Sequence, residues 1–116
     1  MHGFQNDTTP VARKAHKCAE CGLDIPKGVK HHLQKGTYDG SFYTWRVHAD
    51  CAELYWRLNR DLGVSAYWDE ALPISEFCIT EIDYLRGYFP HAVCRQILAR
   101  DLSNMRYEKR RQIEAI

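Results

Sequence analysis

Four residues are spaced to hold a metal ion. Cys18 and Cys21 form a C-x2-C pair, His48 and Cys51 form an H-x2-C pair, and 26 residues lie between the two pairs. Two-residue spacing lets both side chains of a pair bend toward one ion from a tight turn or a helix start. Four such nitrogen and sulfur donors make a closed tetrahedral Zn²⁺ site. A closed site leaves no position for water or substrate, so the predicted role of zinc is structural and no catalytic residue is assigned. Gly22 follows Cys21 directly and supplies the positive φ that a tight knuckle needs. A structural zinc is worth on the order of 10 kcal/mol. A whole domain is stable by only ~5–15 kcal/mol, so the segment around the ligands should loosen without metal.

The elements that must position these ligands follow from pattern and punctuation. Lys17 to Gly28 is turn-rich, with Cys18 to Gly22 and then Ile25-Pro26-Lys27-Gly28. Val29 to Lys35 reads as a strand, with Val29, His31 and Leu33 on one face. Asp39-Gly40 between apolar runs signals a hairpin turn, and the return strand runs from about Phe42 to Val47. The period then lengthens: Cys51, Tyr55, Leu58 and Leu62 make one helical stripe, Asp50 and Glu53 suit the helix start, and Gly63 suits its end. Cys51 would therefore sit in the first helical turn, near N–H groups that favour a thiolate. Residues 64–74 read as a loop holding Tyr67 and Trp68. Ser75 can cap a second helix to about Gly87, with Cys78, Ile82, Leu85 and Phe89 on one stripe. Pro90 opens a third helix to about Glu114, with Val93, Ile97, Leu98, Leu102 and Met105 inward. The short turn at Gly87–Pro90 suits an αα-hairpin packed on the finger, or a helix-turn-helix with Arg95, Arg100 and Arg106 toward phosphates. Knuckle, hairpin and ligand-bearing helix, in that order, form the layout of a treble-clef zinc finger. The predicted fold class is α+β: a small treble-clef finger followed by two packed α-helices. Residues 1–15 read as a flexible arm and 16–116 as one domain.

The remaining candidates are weaker. His31 and His32 fall mid-strand on opposite faces and read as partly exposed, and His16 as solvated. His91 and Cys94 repeat the H-x2-C spacing, but no second C-x2-C exists, so Cys78 and Cys94 read as buried core thiols. A treble-clef nuclease would need a catalytic His at the hairpin, a metal ligand on the helix and an open metal site. His31 or His32 with Asp50 could take these roles, but no Asp–His pair supports them.

With 116 residues the chain suffices for one compact domain. It has no apolar run long enough for a membrane span and no secretory signal at its start. Five cysteines in that setting point to a reducing, cytoplasmic compartment and to metal binding rather than disulfides. Net charge is only +1, but it is unevenly spread: residues 1–49 carry +3, 50–86 carry −5 and 87–116 carry +3. Lys27, Lys30, Lys35 and Arg46 cluster around the hairpin with Tyr38, Phe42, Tyr43 and Trp45, a mixture that suits phosphates and stacked bases. Arg106, Lys109, Arg110 and Arg111 add a basic tail.

Residues 18–51 resemble the poly(ADP-ribose) polymerase type of zinc finger. The shared elements are Cys18-x2-Cys21, Ile25-Pro26-Lys27, Asp39-Gly40 and Trp45-x2-His48-x2-Cys51. The resemblance covers about a third of the chain and implies a Cys-Cys-His-Cys treble-clef-like finger that recognises DNA ends and breaks. The segment between the ligand pairs is shorter than is usual there, and the helical half is not part of it. LIM and other treble-clef fingers share the ligand order, and many of those bind proteins. The chain also resembles small stand-alone zinc proteins of phages and mobile elements. Two functions follow as expectations: non-catalytic binding of nucleic acid, DNA above all, by the eight cations named; or a protein-binding adaptor or inhibitor using exposed Tyr67, Trp68 and Phe77. No small-molecule substrate is expected.

Overall fold

A computed structural model describes residues 5–62 and 71–114 of the chain. The proposed cap Gly63 and the aromatic residues Tyr67 and Trp68 lie outside the described residues. The fold is α+β, two small antiparallel sheets with a Cys/His cluster, followed by helices.

The strands are β1 (Gln5–Thr8), β2 (His16–Lys17), β3 (Asp24–Ile25), β4 (His31–Tyr38) and β5 (Ser41–His48). Sheet order is β1-β4-β5, with β2 and β3 forming a separate two-stranded ribbon. The β4–β5 hairpin closes on Asp39-Gly40, whose φ angles of 50° and 81° give the twist that a two-residue turn requires. β4 starts two residues later than its sequence pattern suggests and continues to the turn, leaving Val29 outside it and 39% exposed.

Residues 1–15 do not form an unpaired arm over their described length. β1 pairs with β4 along Gln5↔Gly36 to Thr8↔Leu33, Val11 bridges Lys30, and Ala12 is buried. The sequence signal failed here because Gln-Asn-Asp-Thr is polar on both faces and all four residues are exposed. This strand is held by its ladder and by side-chain bonds, not by apolar alternation.

Pairing register sorts the hairpin into two faces. His32, Gln34, Trp45 and Val47 share the face that α1 (Ala49–Asp61) covers, with Trp45 5.1 Å from Tyr55 and His32 5.0 Å from Trp56 between ring centroids. His31, Leu33, Lys35, Phe42, Thr44, Arg46 and His48 share the other face. There, Lys35, Phe42 and Thr44 near the turn are exposed.

α1 buries Cys51, Ala52, Leu54, Leu58 and Asn59. Leu62 caps its end and is 41% exposed. The helix from Ser75 to Gly87 is replaced by a single 3-10 turn, Ile74–Glu76, and a five-residue α2 (Ile79–Asp83). Cys78, not Ser75, is the N-cap: its N–H donates to Glu81 Oε1 at 2.9 Å in a capping box. Residues 84–88 are turn, so no helix-turn-helix of ordinary length forms. α3 runs Pro90–Glu114, about 37 Å long at 1.5 Å per residue. Ala92, Val93 and Gln96 are buried, but Leu98 is 49% and Met105 66% exposed. The apolar stripe thus meets the core only over the first two turns.

One hydrophobic cluster joins the Cys/His segment and the helices. It runs from Ile25 and Val47 through Leu54 and Leu58 to Ile74, Phe77, Ile82, Leu85, Ala92 and Val93. Phe77 belongs to this core and is not an exposed anchor. Cys78 and Cys94, read as core thiols, are both exposed. Each lies on a helical segment whose buried positions are taken by Ile82, Leu85, Ala92 and Val93 instead.

Candidate metal centre

The knuckle is built by backbone geometry. Gly22 adopts φ 75° and donates its N–H to Cys18 O at 2.9 Å, while Cys18 N–H donates to Leu23 O at 2.9 Å. A Cβ is strained at that φ, so glycine is required by conformation rather than by lack of room. Ala19 N–H donates to Arg46 O at 2.9 Å, docking the knuckle on β5. β5 ends at His48, which is also the N-cap of α1, and Cys51 follows in the first helical turn.

These elements bring Cys18, Cys21, His48 and Cys51 together, with all four donor atoms within 4.8 Å of one another. The sulfurs are buried, and His48 is half-buried. His48 Nδ1 lies 3.4 Å from Cys21 Sγ and 3.8 Å from Cys51 Sγ. Donor separations of about 3.5–3.8 Å are what a tetrahedron with bonds of ~2.0–2.3 Å demands. His48 Nε2 donates to Asp24 O at 2.9 Å, which keeps that proton on Nε2 and points Nδ1 at the sulfurs. The residues therefore fit a metal ion.

The donors also crowd protons. Hydrogen bonds from Cys21 and then Cys51 hold the Cys18 thiol far below its ordinary value, and the Cys18 and Cys21 sulfurs push Cys51 far above it. The same two sulfurs raise His48 to about 10. A divalent cation must displace protons from Cys51 and His48, so its affinity falls as pH falls.

Three further residues surround the centre: local spacing signals neither Glu20 nor Gln96, and Arg95, expected toward phosphates, turns to the ligand set instead. Glu20, inside the knuckle, accepts from Trp45 Nε1 at 3.0 Å and from Ile74 N–H at 2.8 Å through its carboxylate. Its backbone carbonyl accepts from the buried Gln96 side chain of α3 at 2.8 Å. Arg95, beside Gln96, donates to the Asp50 carboxylate and approaches Cys51 Sγ at 3.5 Å. These partners lie 25 to 76 residues apart in the chain, too far for local spacing to reveal.

His31 and His32 are both buried and neither joins the cluster. His31 Nε2 accepts from Arg46 Nη1 at 2.7 Å, so Nδ1 carries the proton toward Val29 O at 3.3 Å. His32 Nε2 donates to Asp7 Oδ1 at 2.8 Å, an Asp–His pair that the strand-free reading of residues 1–15 missed. Asp7 is shared with Gln34 Nε2 at 3.0 Å, whose amide, ahead of Gln5 and His32, holds the carboxyl below the usual range. His16 is half-buried, 6.0 Å from the His31 ring.

The basic residues at the hairpin separate from most of its aromatic ones. Lys27, Lys30 and Lys35 are exposed, while Arg46 is half-buried against His31 on the same face as Lys35 and Phe42. Tyr43 and Trp45 point to the opposite face. Beside them a cleft of about 570 Å³, lined by Glu20, Gln34, Tyr55 and Trp56 among others, includes no Lys or Arg among its described residues. The tail residues Arg106, Lys109, Arg110 and Arg111 are all exposed on the last turns of α3. No described helix is long and apolar enough to cross a membrane.

No protein-family model matches the chain, and no curated protein or solved structure matches it.

Proposed function

We propose that this chain is a non-catalytic nucleic-acid-binding protein whose finger is stapled by one structural Zn²⁺. The convergence of Cys18, Cys21, His48 and Cys51 carries the metal assignment. Three thiolates and one imidazole form a soft donor set that suits zinc, and four protein ligands fill a tetrahedron. A thiolate site with two further free cysteines suits a reducing compartment.

The nucleic-acid assignment rests on the turn-proximal end of the sheet face opposite α1, where Lys35, Phe42 and Thr44 are exposed. Lys35, Thr44 and Arg46 offer phosphate contacts there, and Phe42, 87% exposed beside the turn, offers a ring on which an unpaired base can stack. Lys27 and Lys30 extend the cationic strip along the β3–β4 turn. DNA with unpaired ends is the substrate this combination suits, and the resemblance of residues 18–51 to a break-recognising finger supports the same choice. A protein-docking surface has less support, because Phe77 is in the core.

Fluorescence anisotropy with a labelled duplex bearing a single-stranded overhang tests this. Binding should weaken steeply with salt, with a slope of about −0.9 per phosphate contacted. Lys27→Glu/Lys30→Glu/Lys35→Glu should flatten that slope by about 3. Phe42→Ala should weaken overhang binding while leaving the slope unchanged. Absence of binding at low salt rejects the function and leaves the metal assignment standing.

A further inference from the structure

We infer that Arg95, reaching across from α3, is the counter-charge of the metal centre and sets how firmly the ion is held. The inference rests on the metal reading above and extends it to a residue outside the ligand set. Three thiolates, a neutral imidazole and a divalent ion sum to −1 in a buried place. A buried charge is costly unless a partner offsets it.

Among the described residues, Arg95 is the cation placed to do so. Its Nη2 lies 3.5 Å from Cys51 Sγ, and Asp50, one residue earlier on α1, anchors the same nitrogen. Only 22% of the Arg95 side chain is exposed, so solvent screens the interaction weakly. Gln96, the next residue, fixes the register of α3 against the knuckle through Glu20 O at 2.8 Å. α3 thus grips both ends of the ligand set: Gln96 bonds the chain between Cys18 and Cys21, and Arg95 sits on Cys51. An N–H bond to a metal-bound thiolate withdraws charge from the sulfur and lowers its appetite for a competing proton or electrophile. Partners in this position typically change metal affinity 10–100-fold.

The test compares release of zinc from the full chain to excess chromogenic chelator in wild type, Arg95→Met, Arg95→Lys and Asp50→Asn. Arg95→Met should release zinc about 10–100-fold faster. Arg95→Lys, which keeps the charge, should recover much of the loss. Asp50→Asn, which removes the anchor of the guanidinium but keeps its charge, should release zinc at a rate between wild type and Arg95→Met. In the Co²⁺-substituted protein, the sulfur-to-metal charge-transfer band should shift in Arg95→Met and shift less in Asp50→Asn. Equal release from wild type and Arg95→Met, with an unshifted band, overturns the inference while the metal site stands. Faster release from Asp50→Asn than from Arg95→Met also overturns it, because Arg95 would then act only by docking the helices. If Arg95→Met does not fold, wild-type release by Arg95→Lys with the band in place supports the charge assignment, and release as fast as apo-prone Cys51→Ser rejects it. Wild-type protein without stoichiometric metal removes the metal reading itself.

Discussion

The two halves of this molecule are held by different forces. The knuckle, the hairpin base and the start of α1 converge on four donor atoms, with few large apolar residues among them. The end of α1, α2 and the first turns of α3 converge on Leu54, Leu58, Ile74, Ile82, Leu85 and Val93. The first half centres on a donor set that could hold a metal ion, and on our proposal a single removable ion staples it. The second depends on many weak contacts that no reagent removes singly. They meet at Glu20, Gln96 and Arg95, polar residues that carry the load of neither half alone.

Removing the metal should break this contrast most sharply. On the proposed zinc staple, chelation or Cys21→Ser should deprive the first half of about 10 kcal/mol. Amide exchange should accelerate first in residues 16–25 and 41–51, and later in α3. Uniform acceleration across the chain would show that the shared core couples both halves completely. Acidification acts in the same direction, because protons compete for Cys51 and His48.

Ile82→Ala probes the other half. The residue is fully buried, so truncation should cost about 2–5 kcal/mol by chemical denaturation. Zinc stoichiometry in the native state should stay at wild type. Loss of zinc from this variant would erase the distinction between the halves.

Glu20→Ala tests the seam. It removes acceptors for Trp45 Nε1 and Ile74 N–H, and should cost about 1–3 kcal/mol. Trp45 fluorescence should change in the same variant. An unchanged midpoint would mean that water replaces the carboxylate without loss.

The smallest effect concerns β1. Hydrogen bonds from Gln34, then Gln5 and His32, lower the Asp7 pKa in the folded protein. The stabilisation is therefore fully present above the usual carboxylate value near 4 and is lost as pH falls through the lower folded value. β1 amides should lose protection in that acidic window, and Asp7→Asn should remove the pH dependence. Protection that is flat across the window would place the grip on β1 elsewhere.

What could be read from the sequence follows from how local each signal is. The ligand pairs, the Asp39-Gly40 turn, α1 and the Pro90 start of α3 are written within a few residues each, and the structure has all of them. β1 was illegible because its polar residues carry no alternation, and its partner lies 25 or more positions away. The second helix was overread because Cys78, Ile82 and Leu85 keep helical spacing through a segment that is only partly helical. The inward stripe of α3 was overextended for a related reason: spacing reports a face, not whether anything lies against it. Glu20 and Gln96 were invisible because a buried hydrogen bond between distant residues leaves no pattern in either neighbourhood.

Glu20 also decides how far the Cys/His segment is portable. A fragment cut after α1 would keep all four donors but strip the knuckle of Ile74 and Gln96, leaving a carboxylate half-satisfied and a carbonyl bare beside the donor cluster. The Cys/His unit of this chain is therefore no interchangeable cassette. Grafted onto another host, it would have to bring its distal helix with it.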